Sequence, residues 1–100
     1  LYLLGNENNY GLFWSGAETE DFPDDENEKK KIGETRGRAL YKLMNKAAIK
    51  IKSLDKNHPV AICNGDVLYI DIVAEECKDV DIYGTNIYRV WCRCIQCYRE

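Results

Sequence analysis

The chain has little of what several large function classes require. No stretch approaches the ~20 continuous apolar residues of a membrane helix, so no membrane partner is expected. With a net charge of −3 and a pI near 5.2, there is no basic stripe to displace counterions, and nucleic acid is not an expected partner. The one clustered positive run, Lys29-Lys30-Lys31, follows the acidic run Asp24-Asp25-Glu26 and reads as a solvated loop. No glycine-rich phosphate loop follows any apolar run: Gly5-Asn6-Glu7-Asn8 lacks the spacing of a dinucleotide fingerprint, and no cofactor is implied. Histidine occurs once, as His58 beside Pro59, and no serine or cysteine shares a catalytic-triad context with it. The dipole at a helix C-terminus is its plain account. Internal repeats and low-complexity segments are not evident.

What is present is an ordinary globular balance, 45% hydrophobic and 31% charged, which argues against disorder throughout. One hundred residues make one small domain at most, and less than half of an eight-fold barrel of roughly 250 residues. Five cysteines cannot all pair within one chain, which tilts towards free thiols and a reducing compartment. Leu1-Tyr2-Leu3-Leu4 reads as a buried strand already under way, with no methionine or basic leader before it. The expectation is a chain that begins inside a larger protein.

Three short apolar runs alternate with two longer periodic segments. Leu1 to Leu4 is the first strand candidate, stopped by Gly5-Asn6, and a polar loop is expected from about Asn8 to Gly33. Leu40, Leu43, Met44, Ala47, Ile51 and Leu54 then recur at helical steps, with Lys42, Lys46 and Lys50 on another face. Asn57-His58-Pro59 ends that helix, because the residue before proline avoids helical geometry. Val60 to Cys63 is the second strand, closed by Asn64-Gly65. Asp66 then sits where an N-cap would, ahead of a helix over Val67 to Lys78 with Val67, Ile70, Val73 and Cys77 inward. Val80 to Gly84 supplies the third strand. The rhythm predicts an α/β structure of three parallel strands and two long helices, with function at the carboxyl ends of the strands.

The residues at those ends are Asn-Glu, Asn-Gly-Asp and Thr-Asn-Ile-Tyr, polar groups suited to sugars. Leu4-Gly5-Asn6-Glu7-Asn8 resembles the end of the fourth strand in clan A glycoside hydrolases, where an Asn-Glu pair carries the acid/base glutamate. Asn9-Tyr10-Gly11 and Leu12-Phe13-Trp14 look most like the barrel domain of family 2 members. His58-Pro59-Val60-Ala61 resembles the start of that family's fifth strand, and Asp81 to Arg89 is similar to its sixth. The likeness covers residues 1 to about 89 and implies a partial TIM (β/α)8 barrel. It also implies a retaining glycosidase segment with Glu7 as catalytic acid/base and a carbohydrate as partner. The nucleophile of that family follows the seventh strand, which lies outside this stretch.

Chemistry agrees with the assignment. A retaining glycosidase needs two carboxyl groups ~5–5.5 Å apart, one to donate a proton and one to attack. Glu7 lies just past a strand, where desolvation is expected to raise its pKa. By resemblance, Asn6 would hydrogen-bond the sugar 2-hydroxyl. Tyr10 and Trp14 could stack on sugar faces or merely pack the loop, and Asn86 and Tyr88 would line the site. The competing account of Glu7 is a solvated loop carboxylate, the commonest fate of a glutamate. Glu18, Glu20 and Asp21 read as a charged loop.

After residue 89 the composition changes. Cys92, Cys94 and Cys97 crowd the segment 90–100, which stands apart from the barrel-like part as a cysteine-rich tail. A zinc site built on Cys94 and Cys97 lacks a second paired spacing, so free thiols are the preferred account and no metal site is assigned. The resemblance predicts a glycine soon after Arg89, where Val90-Trp91 stand. This suggests a shifted reading frame or an altered splice end. Two further readings stand beside the enzyme: a non-catalytic carbohydrate binder or inert barrel fragment, and a small cysteine-metal module. A partial barrel would also leave strand edges open to self-association.

Overall fold

The computed structural model describes residues 1–12 and 24–88. Three strands, β1 (Tyr2–Leu4), β2 (Val60–Gly65) and β3 (Ile82–Asn86), form one parallel sheet in chain order, β1-β2-β3. The register sets Leu4 beside Ile62 and Ile62 beside Tyr83. Two helices connect the strands: α1 (Glu26–Leu54) and α2 (Ile70–Glu76). A short 3-10 helix over Asn8–Leu12 follows β1. No described helix is long and apolar enough to cross a membrane.

α1 starts much earlier than its apolar pattern suggests. Asp25 caps it, the side chain accepting from the Asn27 amide at 3.3 Å, and Glu26 and Glu28 place negative charge at the positive end of the helix dipole. The expected solvated loop around Lys29–Lys31 is therefore helical, and the loop expected from Asn8 to Gly33 is bounded by helix at both ends. Charged residues and a cap carry helical preference without any apolar period, so periodicity alone passes over them.

The buried face of α1 is also offset from the expected stripe. Gly33, Gly37, Tyr41, Met44 and Ala48 face inward, while Leu43 and Leu54 are 64% and 76% exposed. Small residues allow the close approach. A Cβ on Gly37 would lie 3.6–3.7 Å from Tyr69, Ile72 and Leu12, in ordinary van der Waals contact with all three. The core joins Tyr41 and Met44 of α1, Ile62 of β2, and Ile72, Val73 and Cys77 of the α2 segment. Both helices thus share one face of the sheet. Burial holds the Cys77 thiol in its neutral form, its pKa pushed up to about 11.

The expected second long helix is a seven-residue helix instead. Asp66 does not cap it. Both Asp66 (φ 54°) and Tyr69 (φ 62°) adopt left-handed backbone, and the chain turns twice before α2 begins. Val67 and Ile70 are consequently exposed, and Ile72 joins Val73 and Cys77 in the core. β3 runs two residues later than its apolar run at both ends. β1 is not a buried strand: it is an outer strand of the described sheet, and Leu1 and Leu3 are 69% and 56% exposed.

The amino ends of the strands are fastened by carboxylates. Asp81 accepts from the Val60 amide at 2.9 Å and from Lys52 Nζ at 2.6 Å. Asp55, the C-cap of α1, accepts from the Tyr2 hydroxyl at 2.9 Å and the Asn57 amide at 2.9 Å, and lies 2.7 Å from His58 Nδ1. His58 thus sits against a carboxylate as well as a helix end, far from the strands' carboxyl side.

Candidate functional site at the carboxyl ends of the strands

β1 stops because Gly5 turns at φ 71°, with its α-carbon so close to Asn8 that a Cβ would lie 2.4 Å from Nδ2. Asn8 Oδ1 in turn accepts from the Asn6 amide at 3.2 Å. Glu7 follows at φ 55°, an unfavourable backbone region for a residue with a Cβ. It is held there by two backbone bonds, its own N–H to Cys63 O at 2.9 Å and its carbonyl to the Tyr10 N–H at 3.1 Å.

From that position the Glu7 carboxylate meets the end of the third strand. Asn86 Nδ2 donates to Glu7 Oε1 at 2.9 Å and to Asn6 Oδ1 at 3.1 Å, and the Tyr88 hydroxyl donates to the same Glu7 oxygen. Asn86 is itself seated: Cys63 Sγ lies 3.4 Å from its Oδ1, and its carbonyl accepts from the Asp66 amide at 2.8 Å. Residues about 80 apart in sequence thereby converge across β2.

The Tyr10 ring lies against Gly65. A Cβ there would fall 2.1 Å from the ring, so the close contact requires glycine. Asn6, Glu7, Tyr10 and Gly11 line an open cleft of about 560 Å³. The floor beneath it is built from amides. Asn9 and Asn64 are fully or nearly buried; Asn64 accepts from the Tyr41 hydroxyl at 2.9 Å and donates to Leu68 O at 3.1 Å.

Electrostatics correct one expectation. The Glu7 pKa is lowered, not raised, because hydrogen bonds from Tyr88 and then Asn86 stabilise the anion more than desolvation opposes it. The cleft is open, so burial at Glu7 is slight. Tyr88 shifts upward in turn, since its hydroxyl proton is held by that carboxylate. In this arrangement Glu7 is an ionised acceptor.

Of the expected site residues, Asn6, Glu7, Asn86 and Tyr88 form one hydrogen-bonded cluster, and Tyr10 lines the same cleft. Trp14, Glu18, Glu20, Asp21 and the cysteines of residues 90–100 lie outside the described residues. Among the described residues, no group of three His, Cys, Asp or Glu side chains could hold a metal. The sequence reading overlooked Cys63, Asn9 and Gly65. The Asn64-Gly65 pair after an apolar strand was the available signal, although it reads as a turn. No protein-family model, curated protein or solved structure matches the chain.

Proposed function

We propose that residues 1–89 are the strand-four-to-six segment of a retaining glycoside hydrolase barrel resembling family 2 of clan A, with Glu7 as its acid/base. One observation carries the reading. Glu7 after β1 and Asn86 and Tyr88 at the end of β3 meet in one cleft at the carboxyl ends of a parallel sheet. Strands in chain order with both helices on one face suit a barrel arc.

In the reaction, Glu7 would protonate the leaving glycosidic oxygen and later deprotonate the attacking water. Asn6 would bind the sugar 2-hydroxyl, and Tyr10 offers a flat aromatic face beside it. Asn86 and Tyr88 hold the carboxylate in line. Among the described residues that line the cleft, Glu7 is the one carboxylate. A nucleophile ~5–5.5 Å away must come from elsewhere in the complete enzyme. Its negative charge would also lift the Glu7 pKa, countering the lowering by Tyr88 and Asn86. The isolated 100 residues should therefore show no turnover.

The test uses Glu7→Gln in the complete enzyme. Natural substrates should slow by ~10²–10⁴-fold, the usual worth of general acid catalysis. Aryl glycosides with good leaving groups should suffer less in the first step, and azide should restore turnover with retained configuration. Equal losses on good and poor leaving groups without azide rescue would remove Glu7 from this role.

A second reading, carbohydrate binding without turnover, is favoured by the ionised state of Glu7. A carboxylate held as an acceptor suits sugar hydroxyls as well as catalysis. Leu1, Leu3 and Ile82, exposed on the outer strands of the described sheet, further support self-association of the isolated chain. Sedimentation that stays monomeric at high concentration would oppose it.

A further inference from the structure

We infer that Asn9 is the positioning residue of the Glu7 site: its buried side chain stands in for a missing strand residue and fixes the turn that carries Glu7. The inference takes Glu7 as the working group of the cleft, as in the preceding reading.

From Pro59 through β2, alternate residues turn their backbone groups towards β1. Pro59 O accepts from Tyr2 N, and Cys63 O accepts from Glu7 N. Gly65 is the next in that series, yet β1 has already ended at Leu4. Its N–H and C=O would be left facing the interior without a strand to meet them. Asn9 meets both. Its Oδ1 accepts from Gly65 N at 2.7 Å and its Nδ2 donates to Gly65 O at 2.7 Å. A primary amide has one acceptor and one donor side, the same pair a strand residue would offer. The Asn9 side chain is fully buried, so water cannot substitute for it.

The consequence for Glu7 is geometric. Its strained turn is tied to β2 on one side by its own amide and on the other by Asn9, two residues on. Tyr10, the next residue, seats its ring on Gly65. With the Asn9 pair removed, the turn loses its buried anchor to Gly65 and is left to the Glu7–Cys63 bond, the Tyr10 ring and the exposed or half-buried side-chain bonds to Asn86 and Tyr88. The carboxylate should then drift from Asn86 and Tyr88, which are its hydrogen-bond donors and, with Tyr10 beyond Tyr88, the polar groups facing it.

Carbon-detected NMR titration of the Glu7 carboxyl in the labelled chain tests this without requiring turnover. Loss of the signal in Glu7→Gln assigns it. In the wild type, Glu7 should titrate below the ordinary carboxylate range. In Asn9→Ala it should move back up towards that range, while Asp55 at the opposite end of the sheet keeps its low value. Met44→Ala, a core loss of comparable or larger cost, should leave Glu7 unmoved, which separates positioning from general destabilisation. If Asn9→Ala does not fold, Asn9→Ser carries the same readout with a smaller void. A folded Asn9 variant whose Glu7 titrates as in the wild type would overturn the inference, as would an unshifted Glu7 in the wild type. An inactive complete enzyme with the expected titrations would remove the glycosidase reading and leave the positioning role standing.

Discussion

The two ends of the sheet are built from different chemistry. At the amino ends, Asp55 and Asp81 draw in Lys52, His58, Tyr2 and backbone amides, and no described residue there has positive φ. At the carboxyl ends, among the described residues, the amides of Asn6, Asn9, Asn64 and Asn86 gather, Asn86 bonds Glu7, and the Asp66 carboxylate is turned to the Val67 amide. Gly5, Glu7, Asp66 and Tyr69, the positive-φ residues among those described, all lie in the loops on this side. Backbone strain of this kind persists where surrounding structure over-determines it, and it clusters at working sites. One end fastens the fold; the other holds a shape the backbone would not choose alone.

The largest stability effect that would break this contrast is at its foundation. Tyr41→Phe leaves the buried Asn64 Oδ1 without its 2.9 Å donor. A loss of ~1–3 kcal/mol is expected, since the cost is that of an unsatisfied buried acceptor. Urea denaturation would measure it. A change within error would mean that Asn64 finds another partner and that the amide floor is not over-determined.

Gly65→Ala comes next. The new methyl meets the Tyr10 ring at 2.1 Å, so the ring must swing off the cleft floor or strain it, at a cost of at most ~1–3 kcal/mol. Gly11→Ala, on the same cleft, has open space and should be close to neutral. Aromatic proton shifts of Tyr10, read beside the urea midpoints, should move in the first variant alone.

The smallest effect sharpens the other end. Asp55 titrates at about 2 against an ordinary 3.8, lowered first by the Asn57 amide, then by Tyr2 and His58. A carboxylate with a depressed folded-state pKa adds stability that is fully present above pH 3.8 and fades as the pH falls through about 2. Asp55→Asn should flatten the acid limb of the stability curve over that window and change little at neutral pH beyond the lost contacts. Because the group is solvent-accessible, the slope should be shallow. An unchanged acid limb would show that the amino-end carboxylates are not what fastens it.

How much of this could be read from residues follows the same division. The strand ends were legible because their polar motifs stand directly after apolar runs, so Glu7, Asn86 and Tyr88 could be grouped before any geometry was known. The parallel pairing of the strands followed from the alternation of elements. The first two turns of α1 were not legible, because Asp25 and the charges after it start a helix without an apolar period. Its inward face was read correctly at Met44 and misread around it, since Gly37 and Ala48 bury by being small while Leu43 and Leu54 stay exposed. Asn9 was invisible for a different reason. An asparagine in a polar loop resembles any turn residue, and its two bonds to Gly65 depend on a partner 56 positions away. The sign of the Glu7 shift depended on Tyr88 donating to it, a tertiary contact no local pattern encodes.

The most direct test of the contrast between the two ends is a backbone-amide NMR titration of the chain with a panel of β-linked disaccharides. Shifts gathered at Asn6, Glu7, Tyr10, Gly11, Asn86 and Tyr88, saturating together and lost in Glu7→Gln, with Asp55, His58 and Asp81 still, are the predicted result. Shifts at the amino-end carboxylates instead, or none at any residue of the cleft, would contradict the account.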